Sequence, residues 1–201
     1  CSVVSWGQIA AWDFTGEGST TNTTSVADVY NVSLDASNLL TRGAGAAYSA
    51  GGNSFRTQGF QNNGIATTNT DFFQFTLSAS AGNTLSLSTI DARFAGTATF
   101  AASPGVSSRF AYSLDGTNFT LIGSSQITIG TPATLTQIDL TAIPALQNVS
   151  DAVTITIRYY ASGQTTTGGW GFNSPSVGQY GLAIGGTITP TAASPEINLQ
   201  G

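Results

Sequence analysis

Ionisable side chains are what this sequence has least of. Only 7% of its 201 residues are charged, against roughly 25% in an ordinary soluble domain. Lysine, histidine and methionine are absent, and Cys1 is the only cysteine. Each absence removes a chemistry. Without histidine there is no Ser-His-Asp or Cys-His nucleophile system. Without lysine there is no Schiff base and no phosphate-loop lysine. Zinc sites built from His or Cys are excluded, and no internal disulfide can form, so stability has to come from sheet packing. The five arginines (Arg42, Arg56, Arg93, Arg109 and Arg158) are scattered, and ten acids leave a net charge of −5. Nucleic-acid binding rests on phosphate neutralisation by grouped cations and is not expected. No apolar run reaches the roughly 18 residues that a membrane-spanning helix needs.

What is present in quantity is alternation with a period of two. Leu85-Ser86-Leu87-Ser88-Thr89-Ile90, Phe73-Gln74-Phe75-Thr76-Leu77 and Val153-Thr154-Ile155-Thr156-Ile157-Arg158-Tyr159 each exchange apolar and polar residues almost every step. In the last of these, the threonines and Arg158 face outward. Such segments read as strands with one buried and one wet face. Further strands are expected at Ile9–Thr15, Ala27–Leu34, Ser54–Phe60, Thr97–Ala101, Arg109–Leu114, Phe119–Ile122, Leu135–Leu140 and Leu182–Thr189. Asp115-Gly116-Thr117-Asn118 marks a hairpin, and Ala81-Gly82-Asn83 and Ser103-Pro104-Gly105 mark two further turns. Pro144 is placed to open a single helical turn over Ile143–Gln147. About ten short antiparallel strands on one core predict an all-β, two-sheet sandwich of jelly-roll type.

The sandwich is expected over residues 9–189. The glycine-rich stretch 41–52 reads as a surface loop, and residues 190–195, with Pro190 and Pro195, read as a linker. Beyond it Glu196-Ile197-Asn198-Leu199 alternates like a strand with no partner left in sequence, a candidate for donation to another chain. Residues 1–8 read as an N-terminal extension or a signal-peptide remnant. Cys1 admits two readings: the lipid-bearing first residue of a lipoprotein, or part of a signal peptide cleaved after Gln8 in Ser5-Trp6-Gly7-Gln8. Both imply export.

Carboxylate chemistry needs two facing acids, yet the ten acids are spread singly and several sit beside turns, where aspartate caps backbone amides. No cofactor is expected, except that calcium needs only oxygen ligands; Asp13 and Glu17, with Gly16 and Gly18 permitting a tight bend, are the candidates for a structural ion. Trp170, in Thr167-Gly168-Gly169-Trp170-Gly171-Phe172, and Tyr160, the neighbour of Tyr159, are the candidate ligand or interface aromatics. Core or edge packing is the competing reading of Trp170.

Three segments, Ile9-Ala10-Ala11-Trp12-Asp13-Phe14, Phe110 through Phe119 and Asp139-Leu140 through Asn148-Val149-Ser150, resemble the β-sandwich modules of secreted surface proteins of Bacteroidetes-type bacteria. The tail Ala193 through Gly201 resembles the opening of the repeat domains that often follow them, and Ser5-Trp6-Gly7-Gln8 the end of their signal peptides. The resemblance implies an extracellular location and a jelly-roll-like fold, and transfers no catalytic residue. The expectation is a non-catalytic structural or adhesive protein that associates with copies of itself by strand addition. The alternative is a carbohydrate-binding module of a secreted enzyme.

Overall fold

A computed structural model describes residues 7–35 and 39–192 of the chain. Along the chain the strands are β1 (Gln8–Trp12), β2 (Ser25–Val26), β3 (Val29–Tyr30), β4 (Leu39–Arg42), β5 (Ser54–Thr57), β6 (Phe73–Leu77), β7 (Asn83–Gly96), β8 (Val106–Ser113), β9 (Thr120–Leu121), β10 (Gln126–Thr128), β11 (Ala133–Thr134), β12 (Ile138–Asp139), β13 (Val149–Ser150), β14 (Ile155–Ser162), β15 (Trp170–Asn173) and β16 (Leu182–Pro190). The helical turn expected at Pro144 is there, a 3-10 turn over Pro144–Leu146.

The strands form two antiparallel sheets that pack face to face. The first runs β3-β1-β16-β7, with β11, β12 and β13 on the far side of β7 and β15-β5 continuing from the end of β7. The second runs β10-β8-β14-β6-β4-β2, with β9 beside β8. If β2–β5 are set aside, β9 is counted with β10, β11–β13 are taken as one broken strand and β15–β16 as one interrupted strand, eight principal strands remain. Their order is first, eighth, third, sixth in one sheet and second, seventh, fourth, fifth in the other, which is the jelly-roll order. Residues 13–72, between β1 and β6, are an insertion that supplies β2–β5 and wraps one flank.

Alternation in the sequence becomes alternation in burial. Phe73, Phe75 and Leu77 face inward while Gln74 and Thr76 do not. Opposite them in register, Tyr159, Ile157 and Ile155 of β14 also face inward. The core is aromatic at one end. Phe94 stacks on Tyr159 at 4.9 Å and on Phe172 at 5.2 Å, and Phe55 meets Phe73 edge-on at 5.0 Å. Such pairs add about 1 kcal/mol each beyond the area they bury. At the other end aliphatic side chains predominate, among them Leu77, Leu85, Leu140, Leu146 and Ile155.

Several expected strands end differently. Thr97–Ala101 is a turn, not a strand; it folds Phe100 over Trp170 at 6.0 Å, so its apolar residues serve the core as a lid. Of the Leu135–Leu140 segment only Ile138–Asp139 is strand, as β12; β11 precedes the segment at Ala133–Thr134, and each pairs separately with β7. Most of the glycine-rich 41–52 stretch is loop, although Leu39–Arg42 forms β4 and Tyr48 bridges Thr57. Gln8 already belongs to β1, and the chain at Thr191 is still held by the sandwich, its amide donating to Gly82 O at 2.8 Å.

Candidate functional site

The two aromatic candidates lie inside the protein. Trp170 is fully buried in β15, its ring stacked on Phe94 at 5.5 Å and its Nε1–H donating to the Tyr159 hydroxyl at 2.9 Å. The glycines around it do not expose the ring. A Cβ on Gly171 would sit 1.9 Å from Phe55 O, so glycine there answers the close approach of β5. Tyr160 does point to the outer face of β14, opposite to Tyr159, yet it is buried too. Its hydroxyl donates to Thr67 O at 3.3 Å, and Phe72 meets its ring edge-on at 5.9 Å. Neither residue offers a ring to a ligand in this structure; for Trp170 the burial matches the core-packing reading of its sequence context.

Buried behind them is a polar chain. Trp170 donates to Tyr159 Oη, which leaves the tyrosine proton for Ser108 Oγ at 2.8 Å. Burial pushes the Tyr159 phenol well above its ordinary range, the two hydrogen bonds opposing only part of that shift. A phenol held neutral in this way is a structural strut between the two sheets.

The acids are engaged one by one. Asp13 accepts from the amides of Thr15 at 3.0 Å and Gly178 at 2.7 Å. Against a burial penalty, these bonds and contributions from Thr15 and Ser174 side chains hold its carboxyl below the usual range. Glu17 accepts from Ser25 Oγ at 2.7 Å and Asn22 Nδ2 at 3.0 Å. The two calcium candidates therefore serve different loops, and among the described residues no three of Cys, Asp and Glu gather as a cation site. Asp115, Asp139 and Asp151 each cap a turn, and hydrogen bonds from Asn118, Thr141 and Gly82 respectively lead in depressing their carboxyls.

A shallow depression of about 600 Å³ holds two acids, Asp35 and Asp151, between Leu34, Ala79 and Ala152. Glycoside hydrolysis needs one carboxyl kept protonated. Asp151 is held ionised by the Gly82 amide at 2.6 Å. The acid that burial pushes upward, Asp71, does not line this depression.

The sandwich has two open sides. On one, β2 and β3 end their respective sheets and are joined by buried Ala27. Here Val26 is 64% exposed and Val32 92%, with Val29 and Tyr30 beside them. On the other side β10 ends its sheet, and Ile127 and Ile129 are 63% and 66% exposed. A cleft of about 410 Å³ enters the sandwich next to them, lined by Phe110, Ile122, Ile138, Ile143, Arg109 and Asp139 among others. Gln126 bridges the gap between β10 and the facing sheet: it accepts from Thr136 N at 2.9 Å and donates to Thr136 O at 2.8 Å. Sequence reading did not single out either side. Isolated Val and Ile in Ser/Thr-rich stretches look the same whether they end a sheet or face a core. Cys1 and the donation candidates Glu196, Ile197, Asn198 and Leu199 lie outside the described residues. No transmembrane-length apolar helix occurs among the described residues. No family model matches the chain, and no curated protein matches it significantly.

Proposed function

We propose that this chain is a non-catalytic, extracellular structural or adhesive module that assembles with its own copies through the open sides of its sandwich. The observation that carries the reading is the pair of unpaired edges, β2/β3 and β10, on opposite sides and each with exposed branched apolar residues. Such edges template further strands unless charge, proline or a covering element blocks them. Neither edge strand carries a lysine or an arginine. A contact between unlike sides does not close on itself, and its repetition gives a filament or a layer. The sparse charge lowers the electrostatic cost of bringing copies together. A strand donated from Glu196–Leu199 is one way to fill such an edge. Export agrees with the near absence of ionisable side chains and the resemblance of the N-terminal segment to a signal-peptide end.

Electron microscopy and sedimentation of the full chain test this directly. Regular polymers are expected, with Val29→Lys and Ile127→Lys each arresting them at the monomer while leaving the fold intact. Deleting residues 194–201 tests the tail: loss of polymers with a folded monomer assigns the donated strand to it, and polymers that persist assign assembly to the body of the sandwich. Wild-type material that stays monomeric at high concentration would falsify the reading.

A further inference from the structure

The outer face of the second sheet carries an arrangement that neither the core nor the edges explain. Arg158, at the middle of the central strand β14, has its guanidinium carbon 3.8 Å from the Phe72 ring centroid and 3.7 Å from that of Phe119. Both faces of the planar cation are thus covered by rings. Nε donates to Gln74 Oε1 at 2.8 Å, across the β6–β14 register pair, and this fixes the rotation of the fork. The two terminal nitrogens donate to nothing among the described residues. Among the described residues no carboxylate pairs with the cation. In the hairpin that brings Phe119, Asp115 accepts from Ser113, Thr117 and Asn118.

We propose that Arg158, clamped between Phe72 and Phe119, is a receptor for the carboxylate of an acidic polysaccharide. A guanidinium covered on both faces can act only through its edge, and edge-on approach is the geometry in which arginine binds a carboxylate bidentately. The rings shield that edge from part of the bulk solvent, which strengthens the interaction, and the Gln74 bond means that little freedom is lost on binding. The half-exposed Phe72 and Phe119 offer apolar rims on which a pyranose ring can lie. The site sits on an open sheet face and not in a pocket, which suits an extended chain over a small molecule. A net charge of −5 works against adventitious adsorption of polyanions, so binding here has to come from a defined site. The face is distinct from the two edges assigned to assembly, so it stays available in a polymer.

Affinity electrophoresis and calorimetry of the full chain with polygalacturonate test the site, with the fully methyl-esterified polymer and polyglutamate as comparisons. Expected are binding to polygalacturonate, a loss of about tenfold or more on esterification, and a similar loss in Arg158→Gln. Arg158→Lys should not restore binding, because a point charge lacks the fork. Galacturonate monomer should compete where galactose does not, a readout that uses the wild-type protein alone and stands even if an Arg158 variant misfolds. Equal binding of esterified and free polymer overturns the role of the carboxylate. Equal or tighter binding of polyglutamate overturns the polysaccharide. No binding to polygalacturonate reduces the ring–cation–ring stack to a staple holding the β8–β9 hairpin on the sheet.

Discussion

Phe72 and Phe73 are consecutive, and each stacks on a different arginine. Phe73 faces inward, and the Arg42 guanidinium lies 5.3 Å from its centroid and 3.7 Å from that of Phe55. Phe72 faces outward and covers Arg158. The chemistry of the two stacks is the same, and their hydrogen-bond environments are not. Arg42 donates to Asn22 O at 3.1 Å, Arg56 O at 2.6 Å, Ala46 O at 3.4 Å and Asn22 Oδ1 at 3.2 Å, so its nitrogens tie two loops, at Asn22 and Ala46, and strand β5 together. Burial lowers its pKa to about 10, and the nearby Tyr48 and Glu17 offset part of that. Among the described residues Arg158 has one hydrogen-bond partner and an open edge. Stacking on rings therefore does not tell a structural cation from a receptor; the number of unanswered N–H groups does.

The comparison breaks most sharply in stability. Arg42→Ala removes donors from four acceptors at once, and unpaired buried carbonyls are costly, so a loss of about 3 kcal/mol is expected in urea unfolding. Arg158→Ala should cost under about 1 kcal/mol, because that cation is half-exposed and singly bonded. If the two variants lose the same amount, the distinction drawn here between tie and receptor fails. The Tyr159 strut should fall between them. Tyr159→Phe keeps the ring stacked on Phe94 but leaves Trp170 Nε1–H without an acceptor in the core, and a loss of about 2 kcal/mol is expected. An unchanged urea midpoint in Tyr159→Phe would show that the buried chain contributes nothing.

These differences also mark where sequence reading stops. The alternating segments at 73–77, 85–90 and 153–159 became β6, the first half of β7 and most of β14, because an alternating pattern has one way to bury its apolar face. The Asp115-Gly116 turn and the Pro144 turn followed from local chemistry alone. The Trp170–Asn173 strand did not, because its glycines answer a neighbour more than 100 residues earlier, Phe55, that only the pairing of β15 with β5 reveals. Arg158 was legible as outward-facing and no further. That its neighbours are Phe72 and Phe119 depends on a cross-strand register and on a hairpin folding back, neither of which has a signature in the chain order. The open edges were hidden for the same reason: a strand is an edge only when the sheet order is known.

The smallest effect concerns the acid beside the two phenylalanines. Asp71 is buried, its Oδ2 meets no donor among the described residues, and burial raises its pKa above the ordinary value of 3.8. A carboxyl raised on folding binds its proton more readily in the native state than in the unfolded chain. Stability therefore falls as pH climbs from 3.8 through the raised value, and the full penalty is present at neutral pH. Asp71→Asn keeps the shape and removes the charge. At pH 7 it should raise the melting temperature by about 2 °C, and that gain should shrink as the pH is lowered towards and below 3.8 and the native carboxyl takes up its proton. Thermal melts of both proteins at half-unit pH steps give the answer. A difference that stays constant across the series would mean that the Asp71 carboxyl titrates alike in the folded and the unfolded chain, so that its burial carries no charge penalty.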